Sequence, residues 1–291
     1  MLGPFLSRQL KRGKLRFLGK PLYNGLIELE LAWIRHRDRN VSFEPTPLVD
    51  SSLTAIIKTF ERPHILKRLI DSLLRFYPHM KVIVADDSRQ PFHDERVKVI
   101  SLPYDSGVSA GRQAALEAVT TPYVLVLDDD FIFYAQTRLE AALHIMEKEE
   151  RIDLMGGEVV NLPSFQVSDS RFGGLYPTSR RSVLPAGSRI AGLEVCDKIP
   201  NFYIARTERL KLVGWDRRIK RIDHADFFTR AKGVLVTVYN PAFKVLHAQT
   251  PFLDAYLQKR YDINEDKRIL QLKYYAPDSL QRLKSRQETK R

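Results

Sequence analysis

The sequence has few of the features that mark secreted or membrane-spanning proteins. One cysteine, Cys196, stands among 291 residues, which excludes an internal disulfide and fits a reducing compartment. No apolar run approaches the roughly 20 residues needed to span a bilayer, and no signal-peptide pattern opens the sequence. We therefore expect a protein that is soluble or peripheral at a membrane, and cytoplasmic.

The charge is strongly unbalanced, with a net charge of +12 and a pI near 9.7. Most of the excess lies at the two ends, and in the first twenty residues basic side chains alternate with Leu and Phe. Such a segment suits attachment to the anionic inner face of the cell membrane. A solvated basic tail is the alternative, and it fits the C-terminal end equally well. Nucleic acid is a weaker candidate partner, because no nucleic-acid-binding module is recognisable.

One stretch, residues 123–133, organises the rest of the chain. An apolar, largely β-branched run ends in Asp128, Asp129 and Asp130, and apolar residues resume at once. This pattern predicts a strand buried on both faces, with three carboxylates at its carboxyl end. Adjacent carboxylates between buried segments require a cation, and Mg²⁺ or Mn²⁺ suits oxygen ligands that also hold a diphosphate. An acidic loop of solvated charges is the alternative.

Strand and helix patterns alternate around this stretch. Strands are predicted at residues 53–57, 81–85, 97–100 and 154–160, with helices at residues 63–77, 107–118 and 136–148. This order predicts an α/β fold with a mostly parallel central sheet flanked by helices. Residues 161–198 lack sustained periodicity and are interpreted as a binding loop or lid. Two strands, 234–239 and 243–246, are expected to close the sheet.

We divide the chain into three parts. Residues 1–50 form a basic N-terminal segment with a helix at residues 21–37 and a linker after it. Residues 51–250 form the α/β domain, and residues 251–291 form a helical, basic C-terminal tail.

Several polar residues follow the predicted strands closely. Because carboxyl ends of neighbouring parallel strands meet at one edge, we expect Thr59 and Asp87 to lie near the aspartate triplet. Asp87 can accept a hydrogen bond from a uracil imide, and Arg112 can grip phosphate oxygens in a bidentate manner. His247 also follows a strand, so it becomes a candidate metal ligand, although a lone histidine is often structural.

These residues resemble a known family. The chain is similar to inverting GT-A glycosyltransferases, nearest to the β-1,4-N-acetylgalactosaminyltransferases that act on gangliosides and more distantly to family 2. The resemblance covers residues 53–247 and rests on a series of short motifs, in order. They are Lys58-Thr59-Phe60, Ala85-Asp86-Asp87-Ser88, Ala110-Gly111-Arg112, Val126 to Phe131, Gly156-Gly157, Asn201-Phe202, Thr207 to Leu210, Val213 to Asp216 and His224 to Phe228.

The resemblance implies a Rossmann-like GT-A domain, a UDP-sugar donor, a glycan or lipid-linked acceptor and a divalent ion, commonly Mn²⁺. It assigns Asp128 and Asp130 to metal and ribose, with His247 completing the metal shell. The donor-nucleotide set is Thr59, Asp87, Arg112, Asp128 and Asp129. The acceptor hydroxyl would lose its proton to a carboxylate opposite the leaving UDP. The sequence departs from the eukaryotic pattern of this family, because we find no membrane anchor in it and it lacks the cysteines of lumenal enzymes. A cytosolic bacterial enzyme of surface-polysaccharide or lipid-linked oligosaccharide synthesis fits better.

The segment Asp223-His224-Ala225-Asp226 offers three candidates for the base. We predict Asp226, because it precedes two phenylalanines that would desolvate it and raise its basicity. His224 is the second candidate, and Asp223 is expected to position the acceptor. The alternative for Asp226 is a helix cap without a chemical role.

Two other classes of protein remain possible. A metal-dependent nucleotidyltransferase would share the sheet, but such enzymes usually carry a glycine-rich loop after the first strand, which residues 58–63 lack. A basic, non-catalytic binding module is the other class, and it would have no use for buried aspartates.

Overall fold

The structure is a computed structural model and describes residues 16–43, 47–168, 171 and 174–275. These residues contain one mixed sheet whose strands run in the spatial order β3-β2-β1-β4-β10-β6-β11-β9-β8, with β5 beside β11 and β7 beside β6. The strands are β1 Leu53–Thr59, β2 Lys81–Asp86, β3 Lys98–Ser101, β4 Tyr123–Asp128, β5 Phe131–Ile132, β6 Leu154–Asn161, β7 Gln166–Ser168, β8 Arg189–Ile190, β9 Leu193–Val195, β10 Tyr203–Arg206 and β11 Thr237–His247.

The first half of the sheet follows directly from the apolar runs. β1 pairs in parallel with β2 and β4, and β2 pairs in parallel with β3. The register sets Lys58 opposite Asp128, so the polar residues after these strands meet at one edge. The α/β fold with a mostly parallel sheet is confirmed. β10 is an exception, because it lies antiparallel between β4 and β6.

Helices cover both faces of the sheet. They are α1 Arg16–Arg37, α2 Pro47–Ser52, α3 Pro63–Phe76, α4 Val108–Glu117, α5 Leu139–Lys148, α6 Thr207–Lys211, α7 Asp223–Ala231, α8 Asp254–Tyr261 and α9 Asn264–Tyr274. One core lies under α3 and α5, and a second lies under α4 and α7. In α3 the apolar residues recur at helical spacing, and Pro63 stands at its first turn, where proline costs no hydrogen bond.

The structure corrects three details of the sequence analysis. The helix expected to begin at Pro21 begins at Arg16, and the expected linker contains the short helix α2. The two expected closing strands are one strand, β11, whose pairing with β6 shifts between Asn240 and Lys244. Pro241 lies in this irregularity and has no N–H to give to the ladder, which explains the break in the apolar pattern.

The irregular residues 161–198 contain only short strands, β7 to β9. Its described residues pack beside β6, β11 and α7, and Tyr176 stacks on Tyr274 with 4.6 Å between ring centroids. Among the described helices, none combines the length and apolar character required to cross a bilayer.

Close packing at Gly157 gives a stability prediction. A Cβ atom there would lie 2.5 Å from the Phe243 carbonyl oxygen and 2.6 Å from the Phe202 ring, and neither can move easily. We expect Gly157→Ala to lower the free energy of unfolding by about 2 kcal/mol, as overpacking in a core does. Urea denaturation would measure this. Gly174→Ala is the matched control, because its Cβ would meet nothing within 4 Å, and an equal loss in both variants would contradict the packing argument.

Candidate active site

A cleft opens where β1, β4 and β11 end. It encloses about 160 Å³ and combines four aspartates with six cationic side chains. Its walls are formed by Lys58, Phe60, Arg62, Val108, Arg112, Asp128, Asp129, Asp130, Asn201, Arg221, Asp223, His247, Tyr256, Lys259 and Arg260. The aspartate triplet therefore lies in a concave site with compensating charge, as the apolar flanks of the triplet predict.

The three aspartates occupy different environments. Asp128 ends β4 and its side chain is 37% exposed, whereas Asp129 and Asp130 are buried in the turn before β5. The backbone carbonyl of Asp130 accepts a hydrogen bond of 2.9 Å from the Ala248 N–H, which ties the turn to the end of β11. Asp128 is thus the triplet member most accessible from the cleft.

Arg62 provides the buried counter-charge, and the sequence analysis did not identify it. Its guanidinium group forms ion pairs with Asp129 and, at 3.3 Å, with Asp130. It also donates to the Thr250 hydroxyl at 2.9 Å and lies 3.9 Å from the Tyr256 ring centroid. Its Nε is buried without a partner among the described residues. The available signal was its position just after β1, immediately before the helix-starting Pro63.

The protonation of the triplet follows from these contacts. Burial and the neighbouring Asp130 raise the pKa of Asp129, although Arg62 opposes the shift. Burial would also raise the pKa of Asp130, but His247 and Arg62 outweigh it and hold this pKa below its ordinary value. Burial alone would lower the pKa of His247, yet its contact with Asp130, 3.2 Å from Nε2 to Oδ1, raises this pKa. These opposite shifts favour the charged forms of Asp130 and His247 in their contact.

The predicted metal ligands meet the chemical requirements only in part. Asp128, Asp130 and His247 line the same cleft, and carboxylates with an imidazole suit Mn²⁺. Among the residues that the structure describes, however, no three His, Cys, Asp or Glu side chains converge as a metal-binding group. Asp130 is engaged by Arg62 and His247, and Asp128 is engaged by Arg112. A divalent ion would have to replace some of these contacts.

Arg112 links the two acidic parts of the cleft. One guanidinium nitrogen contacts Asp128 at 2.5 Å, and another contacts Asp223 at 2.7 Å. Arg112 is buried because Gly111 beside it lets α4 approach β1, where an added Cβ would lie 2.4 Å from the Lys58 side chain. This charged bridge fixes Asp223 at the start of α7 beside the end of β4.

Two predicted nucleotide contacts lie behind the cleft wall. Asp87 is fully buried and accepts hydrogen bonds from Lys58 at 2.5 Å and the Gly107 N–H at 2.7 Å. Thr59 is buried too and donates to Asp129 at 2.7 Å. In this arrangement Asp87 and Thr59 hold the side chains that face the cleft. For Asp87 to contact the uracil of a nucleotide directly, its contact with Lys58 would have to open.

The structure does not support Asp226 as the base. Its carboxylate is buried and contacts Lys273 at 2.6 Å, Tyr274 at 2.6 Å and Arg230 at 2.8 Å. It does not line the cleft, because it faces α9. The alternative role as a purely structural residue is the one its contacts fit. Asp223, three residues earlier, lines the cleft.

His224 is not among the residues that line the cleft, and its ring contacts the segment before β10. Its Nε2 lies 2.8 Å from the carbonyl oxygen of Ile199, which can only accept, so this nitrogen carries the proton. Burial lowers the pKa of the ring, which keeps it neutral. Nδ1 therefore retains its lone pair, which is the property that a base requires.

The C-terminal helices complete the site, and sequence reasoning treated them only as a tail. Tyr256, Lys259 and Arg260 project from α8 into the cleft. The carboxylate of Asp266 in α9 accepts the backbone N–H groups of Lys220, Arg221 and Ile222 at 2.6 to 3.0 Å. The loop that enters α7, and with it Asp223, is thereby fixed by α9.

Comparisons with known proteins agree with this geometry. Residues 54–182 match the model described as glycosyl transferase family 2. The chain is 36% identical over 230 residues to beta-1,4 N-acetylgalactosaminyltransferase 2 of Mus musculus, covering 76% of this chain and 45% of that protein. It is 34% identical over 220 residues to beta-1,4 N-acetylgalactosaminyltransferase 1 of Rattus norvegicus, covering 69% and 41%. The chain thus spans less than half the length of these relatives.

The fold also resembles solved structures. TarS 1-349 of S. aureus in complex with UDP-GlcNAc superposes with a TM-score of 0.52 at 19% identity, covering 68% of this chain and 59% of that one. At this identity the likeness concerns the fold alone, and it is the GT-A fold that the motifs predicted. The resemblance stated from the sequence is confirmed.

Proposed function

Because residues 54–182 carry a glycosyl transferase family 2 domain, we propose that the protein is an inverting glycosyltransferase. It moves a sugar from a UDP-sugar to a hydroxyl of a glycan or glycolipid acceptor. The observation that carries this proposal is the cleft, where aspartates at the ends of parallel strands face a cationic wall. The names of the relatives, two N-acetylgalactosaminyltransferases, favour an N-acetylhexosamine as the transferred sugar.

The cationic wall suits a diphosphate. Arg221, Lys259 and Arg260 line the same cleft as the aspartates. The leaving UDP gains negative charge as the glycosidic bond breaks, and fixed cations stabilise this charge more in the transition state than in the bound donor. The uracil would lie toward Asp87 and Thr59, behind Lys58.

A divalent ion would enter this cleft by replacing some of the contacts of Asp128 and Asp130. Asp128 and Asp130 would hold it, with His247 as a third candidate, and when bound it would neutralise the diphosphate as a Lewis acid. Asp129, engaged by Thr59 and Arg62, would support the turn rather than bind the ion.

Transfer with inversion is a single displacement. The acceptor oxygen bonds to the anomeric carbon, the bond from that carbon to UDP breaks, and the acceptor proton passes to a base. We assign the base to Asp223, which lines the cleft at 2.7 Å from the Arg112 guanidinium. The contact with Arg112 orients this carboxylate, and His224 is the second candidate.

A screen of UDP-sugars tests the proposed function. In the presence of Mn²⁺ we expect release of UDP from one of them, and faster release when a matching acceptor is added. Release of inorganic diphosphate from a nucleoside triphosphate would instead indicate a nucleotidyltransferase. Binding without turnover of any nucleotide sugar would indicate a non-catalytic module.

Arg260 gives a specific prediction about donor binding. Its side chain lines the cleft and interacts with Asp130 and Tyr256. We expect Arg260→Ala to weaken UDP binding about tenfold, or roughly 1.4 kcal/mol, the size of a charged hydrogen bond. Calorimetric titration with UDP would measure this. Arg268→Ala in α9, which removes an exposed arginine paired with Glu265, should bind UDP normally. Equal losses in both variants would contradict a specific contact.

An anionic membrane surface is the second partner we propose. The basic first fifteen residues lie outside the described part of the chain, so this part of the proposal rests on sequence.

A further inference from the structure

The helix α1 has two apolar faces, and only one of them is packed. Ile27, Leu31 and Ile34 are buried against the cluster that includes Ile132, Leu162, Leu246 and Ala248. Leu22, Leu26, Leu29 and Trp33 lie on the other face and are between 42% and 68% exposed. Their spacing of four, three and four residues places them in one line along the helix. We call these four residues the outer stripe.

The outer stripe differs from the scattered apolar residues found on most protein surfaces. Other exposed leucines lie in different elements, such as Leu212 just after α6 and Leu272 in α9, whereas four large apolar side chains follow one another along α1. Trp33 ends the stripe, and the Arg37 guanidinium lies 4.9 Å from its ring centroid. A tryptophan beside a cation is typical of the interface between lipid tails and headgroups.

The charge of this part of the chain indicates which kind of partner binds the outer stripe. The first forty residues contain nine basic and three acidic residues, a net charge of +6, which is half of the +12 carried by the whole chain. An apolar stripe on a strongly basic segment complements an anionic lipid surface, since it gains both buried apolar area and attraction to headgroups. A partner protein or a second copy of this basic chain would need an acidic surface instead.

The packed face joins α1 to the active-site wall. Tyr23 donates to the carbonyl oxygens of Gln249 at 3.3 Å and Leu162 at 3.4 Å, and its ring meets Phe252 edge-on at 5.5 Å. Gln249 and Phe252 belong to the segment just after His247, which lines the cleft. A surface bound to the outer stripe would therefore hold the helix that contacts the segment just after His247.

We infer that the outer stripe of α1 docks on an anionic membrane and presents the cleft to an acceptor anchored in the same lipid surface. This inference rests on the proposed function for the acceptor, which becomes a lipid-linked or glycolipid hydroxyl. The docking contact itself requires only the exposed stripe and the basic residues that precede and follow it in the sequence, since residues 22–33 contain Glu28 and Glu30 and neither lysine nor arginine.

Vesicle binding by the full chain tests the inference. Wild-type protein should sediment with vesicles of phosphatidylcholine containing phosphatidylglycerol, and should bind pure phosphatidylcholine weakly. The triple variant L26Q/L29Q/W33Q should bind the anionic vesicles at least about tenfold more weakly. The control variant L212Q/L272Q removes two equally exposed leucines elsewhere and should bind like wild type.

Tryptophan fluorescence identifies the contact directly. Trp215 is buried, so a blue shift on adding vesicles should come from Trp33 and disappear in Trp33→Phe, which should still bind. No vesicle binding by wild type, or equal binding by the triple variant, would overturn the inference. Loss of a dimer in the triple variant without any lipid effect would show that a second copy covers the stripe, and would overturn it too.

The same samples separate this inference from the proposed function. UDP release with a soluble acceptor should be unchanged in the triple variant, because the outer stripe does not line the cleft. If no UDP-sugar is turned over but stripe-dependent binding persists, the proposed function fails and the docking stands. If a UDP-sugar is turned over but the protein does not bind vesicles, the proposed function stands and the docking inference fails.

Discussion

Replacing Asp223 by Asn is expected to reduce the transfer rate by about two orders of magnitude or more, the size of a general-base contribution. The amide keeps the shape of the side chain and can still contact Arg112, but it cannot take a proton. UDP-sugar affinity should change little, because Arg112 retains its contact with Asp128. Steady-state kinetics with an acceptor, combined with UDP titration, would separate a fall in kcat from a loss of binding.

Asp226→Asn is the matched control for this prediction. Its carboxylate is buried between Lys273, Tyr274 and Arg230. We expect it to destabilise the fold by on the order of 3 kcal/mol, as breaking a buried ion pair does, while turnover per folded molecule stays near normal. Normal turnover in Asp223→Asn would refute the assignment of the base, and a simultaneous loss in His224→Ala would transfer the role to that ring.

Chelation of divalent ions is expected to lower the transfer rate at least about a hundredfold, equivalent to roughly 2.7 kcal/mol of transition-state stabilisation. Four aspartates line the cleft beside its cationic side chains. When a diphosphate binds, it competes with these aspartates for the cationic side chains, and a divalent ion would balance the added negative charge. Added Mn²⁺ or Mg²⁺ should restore the rate. Full activity in the presence of EDTA would refute metal dependence.

Two variants locate the ion. Asp128→Asn should abolish Mn²⁺-dependent transfer with little effect on stability, because Asp128 is the most exposed of the three aspartates. Asp130→Ala should abolish it as well, but should also destabilise the protein, because it leaves Arg62 and His247 facing one another. Titration of Mn²⁺ by electron paramagnetic resonance would measure binding independently of turnover.

Local sequence patterns predicted the parts of the site that follow strands. The triplet and His247 lie at the ends of β4 and β11, and Arg112 lies in the first half of α4. All of them line the cleft, and the apolar patterns of these elements are strong enough to be recognised in the sequence. Arg62 was missed because its role as a counter-charge depends on which carboxylates it contacts. These carboxylates lie 67 and 68 residues away in the chain.

The choice between Asp223 and Asp226 shows the limit of such reasoning. Both lie in the first turn of α7, where the helix dipole favours a carboxylate. They differ because α9 brings Lys273 and Tyr274 to Asp226, and no local pattern predicts which helix will return to cover α7. The same applies to Lys259 and Arg260, which gain a role only through the path of the chain after β11.

The antiparallel strand β10 limits how this chain can be divided. It lies between β4 and β6, although its residues, Tyr203–Arg206, fall outside the segment 54–182 that matches the family. Without it, β4 and β6 would each present a row of unpaired backbone groups at the centre of the sheet. The segment that matches the family therefore lacks a strand from the middle of the sheet, and we expect that exchange of domains between related enzymes would have to carry residues 54–247 as one piece.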